Sequence, residues 1–235
     1  MTFLQASIGA LNDVVDAPAD AGHKPGKPIP AGIVALETAR AVALAAAVVG
    51  LALAAPSGMW LLGLALVVLL IGGAYDLVAK GTPWSWVPLA VGIPILPLYG
   101  WLGAAGTLPG WMLALLPIAA VAGASLAIAN ARVDLERDLA SGRASVATAI
   151  GLKASSWVGS ILAATAVGLA VTWLQVGGVG ISVASSAAMA AGGLLIALGL
   201  GIGHRAAPGT RERAWAVQAI GMAAFGIGWV AAVAT

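Results

Sequence analysis

Asn12, Asp16 and Asp20 follow one another at four-residue intervals, and Asp134 and Asp138 repeat that interval further along the chain. On a helix, residues four apart stand one above the other, so each group can aim its oxygens at one point. Such donors suit a hard divalent cation. Magnesium keeps several of its waters and is commonly held by one or two carboxylates together with substrate phosphates, rather than by a complete protein cage. Two acid groups therefore point to a diphosphate held between cations. In the first group, Pro18 is expected to end the helix just before Asp20, because its ring excludes a normal helical interior, leaving Asp20 to ligate or orient from a loop. Lys24 and Lys27 follow, with prolines at 25, 28 and 30 stiffening the return to the next span. Cations beside acids suit a complex of metal and diphosphate.

A single acid on a loop is ordinarily solvated, but six of the nine acids in this chain lie in these two stretches: Asp13, Asp16, Asp20, Asp134, Glu136 and Asp138. Glu136 falls on another helical face from Asp134 and Asp138, and is expected to be solvated or paired with Arg132 or Arg137. Asp76 and Lys80, four apart, can pair with each other. Asn130 stands one turn before Asp134, where it either extends the ligand face or hydrogen-bonds between helices. His23 reads as a loop residue rather than a ligand, and His204 as interfacial.

The elements that carry these residues are membrane helices. The chain is 61% hydrophobic and 9% charged. Its apolar runs, near 33–55, 59–79, 86–103, 109–131, 154–174, 181–203 and 213–234, reach the roughly 20 residues needed to cross a bilayer core. Residues 1–12 are apolar too, but twelve helical residues rise only about 18 Å, so residues 1–11 are read as a partial span. They lack the basic region and small-residue cleavage site of a signal peptide. The connections near 56–58, 104–108 and 175–180 carry no charge, whereas the alternate connections hold Lys24, Lys27, Lys80, Arg132, Arg137, Arg143, Lys153, Arg205, Arg211 and Arg213. By the positive-inside rule the charged face is cytoplasmic, in a cell inner or plasma membrane. The net charge of +2 is then a matter of topology, with anionic lipid beside it and no nucleic acid as partner.

Absence of cysteine removes disulfides, thiolate catalysis and cysteine metal sites. Most of the nine tryptophans fall near predicted helix ends, as an interfacial belt would place them, and glycines such as Gly199 and Gly203 mark close helix contacts. The longest connections, 13–32 and 132–153, both carry acids, and four complete spans separate Asp16 from Asp134. The two acid groups thus occupy equivalent places in two halves, which hints at a pseudo-repeat. The expected architecture is an all-α polytopic transmembrane bundle of about eight helices, the first partial, around a cavity opening to the cytoplasmic face.

At this point a resemblance becomes specific. Residues 11–32, with the pattern NDxxDxxxDxxxKPxKPIPxG, resemble the first aspartate-rich motif of the UbiA superfamily of intramembrane prenyltransferases. Asp134, Asp138, Gly142, Arg143 and Ser145 resemble its second motif, and Tyr75 with Lys80 its YxxxxK element. The resemblance implies transfer of an isoprenoid chain from an allylic prenyl diphosphate to an electron-rich acceptor, aromatic or a lipid precursor, dependent on two magnesium ions that bridge the diphosphate. It implies that Asn12 and Asp16, supported by Asp13 and Asp20, hold one ion, and that Asp134 and Asp138 hold the other. Asp20 is included among the ligands, and Asp16, Asp134, Asp138, Lys80 and Tyr75 are assigned to the reaction itself. Lys24, Lys27, Lys80, Arg143 and Asn130 would meet the diphosphate, with Gly142 and Ser145 supporting.

The family usually has nine membrane helices. The resemblance therefore implies a single transferase domain over 1–235 lacking the first of them, through a start placed late in preference to a shortened form. Two other classes compete with this reading. Transporters bind ions near mid-membrane on broken helices, whereas these acids lie at one edge. The phosphatidyltransferases that use CDP-alcohols also pair metals with aspartates, but their DGxxAR arrangement is absent. A non-catalytic relative that binds prenyl lipids is the remaining alternative.

Overall fold

The computed structural model describes every residue except His23, Pro25, Arg205, Ala206 and Thr235. The expectations for His23, Pro25 and Arg205 thus lie outside the described residues. Among the described residues there are nine α-helices and no strand: α1 (Thr2–Asp20), α2 (Leu36–Ala54), α3 (Met59–Ala74), α4 (Val87–Ala105), α5 (Met112–Val133), α6 (Leu135–Ser141), α7 (Val146–Val176), α8 (Val183–Gly203) and α9 (Pro208–Val233). Seven of them, α2 to α5 and α7 to α9, are long and apolar enough to cross a membrane, in agreement with the seven runs of the sequence. The chain divides into two compact units, one of Met1–Lys80 with Ile95–Leu108 and one of Gly81–Pro94 with Pro109–Thr235.

In the first unit, α1 departs from expectation. It runs unbroken through Pro18 to Asp20, a length of about 28 Å. Proline removes one amide donor, but Ala21 N still donates to Ala17 O (3.1 Å) and Lys24 N to Asp20 O (3.0 Å), so the helix loses one bond and keeps its last turn. Glycine lets α1 lie close to its neighbours. A Cβ at Gly50 would stand 2.6 Å from Leu4 Cδ2, and one at Gly72 would stand 2.5 Å from Ile8 Cγ1. Leu4 thereby enters a core with Ala54, Leu61, Ala65, Val68, Ile95 and Tyr99, and Ser7 Oγ donates to Ala43 O (2.8 Å) across α1 and α2. These contacts fix which face α1 turns toward α3.

Beyond Ala74, the helix of α3 continues into one π turn, Tyr75–Ala79, closed by Lys80 N donating to Tyr75 O (2.8 Å). Such turns are rare and concentrate at functional sites. Asp76 and Lys80, four apart across this turn, form no ion pair with each other. The expected pair between them is replaced by two contacts with α1.

In the second unit, α8 and α9 pack with almost no side chain between them at Gly199, where a Cβ would lie 2.8 Å from Ala214 O and from Gln218 N. Ser125 Oγ donates to Gly159 O (2.8 Å) and accepts from Gln218 Nε2 (2.9 Å), linking α5, α7 and α9. At the end of this unit where α5 begins, Trp229 is buried and donates Nε1–H to Ala170 O (2.9 Å), with the rings of Trp111 and Trp173 against it. Trp60, Trp84 and Trp157 are exposed, as an interfacial belt requires.

Two ends of the second unit differ in polarity. At the other end from Trp229, the side chain of Arg132, buried in the last turn of α5, donates to Gly203 O at the end of α8, and buried Arg211 of α9 donates to Glu136 of α6. Glu136 is thus neither simply solvated nor paired with Arg132 or Arg137. Its position on the outer face of α6 brings it to α9. His204 accepts or donates through Nδ1 to Ser156 Oγ (2.8 Å) and stacks edgewise near Trp157.

Candidate functional site

Three successive turns of α1 carry Asn12, Asp16 and Asp20, with Asp13 one step around the helix. Asp16 and Asp20 are buried although both are charged. A buried carboxylate needs partners, and three lysines supply them. Lys80 Nζ lies 2.7 Å from Asp16 Oδ2 and 5.7 Å from the centre of the Tyr75 ring. Lys24 Nζ lies 2.8 Å from Asp20 Oδ1. Lys27 Nζ reaches three carboxylates at once, at 2.7 Å from Asp13, 3.1 Å from Asp20 and 3.9 Å from Asp16. Burial pushes the Asp20 carboxyl up, but the hydrogen bonds and charges of Lys24 and Lys27 outweigh it and hold the group below its usual range. Burial likewise disfavours the Lys27 ammonium, and Asp13 with Asp20 outweighs this and raises its pKa.

Asp76 was missed as a site residue in the sequence. It is 3% exposed, and its Oδ1 accepts from Asn12 Nδ2 at 2.7 Å, while its Oδ2 has no hydrogen-bond partner. The available signal was its place between Tyr75 and Lys80, where the alternative of a pair with Lys80 concealed it. Around this end of α1, four acidic side chains (Asp13, Asp16, Asp20 and Asp76) gather with three lysines.

In the second unit the acids bracket a break between helices rather than lining one helix. Asp134 ends α5 and begins α6, and Asp138 lies one turn into α6 with its amide donating to Asp134 O (2.8 Å). Asp134 Oδ1 pairs with Arg137 Nη1 at 2.8 Å, both partly open to solvent. Gly142 closes α6 at φ +67°, a left-handed conformation that glycine adopts without a clash at Cβ, and Arg143 N then donates to Asp138 O (2.9 Å). Ser145 caps α7 by accepting from Thr148 N (3.3 Å), and Thr148 Oγ1 accepts from Ser145 N (2.8 Å). Burial raises the pKa of Asp138 above its usual value, against the lowering effect of a hydrogen bond from Ser145 and the charges of Arg143 and Arg137. Asn130 and Arg143 are exposed.

The donor set tests whether magnesium fits. Among the described residues no three acidic or histidine side chains gather closely enough to form a cage by themselves. Asn12 and Asp16 on adjacent turns offer instead the one or two oxygens that magnesium accepts when a phosphate completes its shell. Asp134 and Asp138 offer a second set of the same kind.

Comparison with known proteins places this geometry. The model of the UbiA prenyltransferase family matches residues 1–225. No curated protein matches the chain. Among solved structures, one from work on digeranylgeranylglyceryl phosphate synthase in membranes superposes with a TM-score of 0.77 at 20% identity, covering 98% of this chain and 81% of that one. The apo structure of a UbiA homolog from Aeropyrum pernix K1 gives 0.78 at 21% identity, covering 97% and 85%. At these identities the likeness is one of fold, while the match over residues 1–225 is one of sequence. This integral membrane protein therefore belongs to the UbiA prenyltransferase family.

Proposed function

We propose that the protein transfers a prenyl chain from an allylic prenyl diphosphate to an electron-rich acceptor, an aromatic ring or a lipid precursor, at a site facing the cytoplasm. The observation that carries this reading is the interleaving of Asn12, Asp16 and Asp20 with Lys24, Lys27 and Lys80, oxygen donors and cations on a single helix end. Asn12 and Asp16, with Asp13 and Asp20 in support, would hold one magnesium ion, and Asp134 and Asp138 would hold the second. Magnesium, when bound, neutralises the charge that develops on the leaving diphosphate.

Lys24, Lys27 and Lys80 turn from their carboxylates to the diphosphate oxygens and the exposed Arg143 joins them, so that fixed cations meet the electron pair as the allylic carbon–oxygen bond breaks. The lysines are already at the site and need only exchange partners. Tyr75 presents an electron-rich ring beside Lys80, placed to stabilise positive charge near the departing group. The acceptor then captures the allylic cation and loses a proton. The reaction requires that water be kept from the cation, which it would otherwise capture. The test is purified protein in nanodiscs with magnesium, a radiolabelled prenyl diphosphate and a panel of acceptors. Labelled product that disappears in Asp16→Ala and in Asp138→Ala is the expected result, and undiminished product in both variants overturns the assignment.

A further inference from the structure

We propose that Asp76 is the positioning residue of the first cation site, acting through Asn12 so that the amide oxygen of Asn12 faces the ion. The inference rests on the reading of Asn12 as a ligand and adds a residue to it. A neutral amide has two faces, an oxygen that binds a cation and an NH2 that repels one. Nothing in Asn12 itself selects between them. A carboxylate can only accept hydrogen bonds, so the 2.7 Å contact with Asp76 Oδ1 commits the Asn12 nitrogen and turns its oxygen the other way. Ligands to metals are ordinarily oriented in this manner by a carboxylate or carbonyl behind them.

Three features make Asp76 more than a chance helix contact. It is buried, it stands on the π turn Tyr75–Ala79, and its Oδ2 has no hydrogen-bond partner. Its contact with Asn12 is a carboxyl oxygen accepting from the amide nitrogen, which fixes the end of the amide that is turned away from the ion. Lys80, just after the same π turn, pairs with Asp16 and forms no ion pair with Asp76, so the oxygens of Asp76 are left to Asn12.

The test uses the full chain in detergent or nanodiscs with manganese as a spectroscopic substitute for magnesium, its binding followed by electron paramagnetic resonance in the presence of a non-cleavable prenyl thiodiphosphate. Asp76→Ala is expected to weaken manganese binding by about 10- to 100-fold, the usual effect of losing such an orienting partner. Asp76→Asn keeps an oxygen acceptor for the Asn12 amide and is expected to recover most of that loss. The double variant Asn12→Ala with Asp76→Ala is expected to bind like Asn12→Ala alone, because a residue that acts through Asn12 has nothing left to orient. Effects that multiply in the double variant, or binding unchanged in Asp76→Ala while Asn12→Ala is weakened, overturn the role of Asp76 alone. Binding unchanged in Asn12→Ala overturns the ligand assignment and the inference with it.

Discussion

The two acidic motifs, each with acids four residues apart, are built on different local structures. In the first unit the acids stand on the inside of a continuous helix, Asp16 and Asp20 are buried, and lysines from the following loop and from the end of α3 come to them. In the second unit the acids bracket a break between α5 and α6, and their partners are close in sequence: Arg137, Arg143 and Ser145. One motif is held by tertiary contacts and the other by the chain's own turns. The difference teaches that acids spaced by four can be held in two ways, by helix periodicity or by a cap, a left-handed glycine and a second cap in sequence.

The largest expected effect treats the motifs alike. Asp16→Ala and Asp138→Ala should each lower transfer by about a hundredfold or more, as loss of a group that stabilises the leaving charge does elsewhere, measured as initial rates of labelled product. A motif whose alanine variant loses less than tenfold is not a metal site of the kind described.

The next effect separates them. Gly142→Ala forces a Cβ onto φ +67° and should cost about 1–2 kcal/mol, seen as a lower melting temperature in detergent, together with a loss of transfer because Asp138 is displaced. The acids of the first motif stand on the continuous helix α1, and the positive-φ glycines of that stretch, Gly22 and Gly32, follow it. Gly22→Ala lies just past α1 at φ +77° with open space around it, so it should strain its own turn while leaving transfer close to that of the unaltered protein.

Protonation sharpens the comparison. Asp20 has a lowered pKa in the folded state, so its contribution to stability is complete above the unfolded value near 3.8 and is lost as pH falls through the folded value. Asp138 has a raised pKa, so its ionised form costs stability at neutral pH, and protonation as pH falls relieves that cost. Asp138→Asn is accordingly expected to raise the melting temperature at pH 7 while abolishing transfer, and Asp20→Asn to lower it. On acidification, manganese should leave the second motif at a higher pH than the first. A melting temperature lowered by Asp138→Asn would contradict the assigned cause.

The smallest effect concerns the brace of the second motif. Glu136 is held below its usual pKa first by its hydrogen bond to Arg211, so that contact stabilises the fold above about pH 4.5 and fades below it. Because the Glu136 side chain is half exposed, Glu136→Gln should lower the melting temperature only slightly at pH 7, and the difference should shrink as pH falls below the unfolded value near 4.5.

Much of this was legible in the sequence because membrane helices announce themselves by long apolar runs, and the seven spans followed from composition alone. The two acid groups stood out for the same reason, as rare acids in an oily chain. Pro18 misled, since a proline near a helix end costs one hydrogen bond, which the continuing turn at Ala21 and Lys24 tolerates. Asp76 and Glu136 were misread because their partners, Asn12 and Arg211, lie 64 and 75 residues away, and pairing at such separation leaves no local periodicity. The π turn at Tyr75–Ala79 is a deviation from the very period on which the pairing of Asp76 with Lys80 was argued.

The most direct test of the central claim is to count the ions. With a non-cleavable prenyl thiodiphosphate bound, manganese titration of the intact chain should give two ions per molecule, one after Asp16→Ala and one after Asp138→Ala. An unaltered protein that binds no manganese with the diphosphate present, or variants that still bind two, would contradict the account.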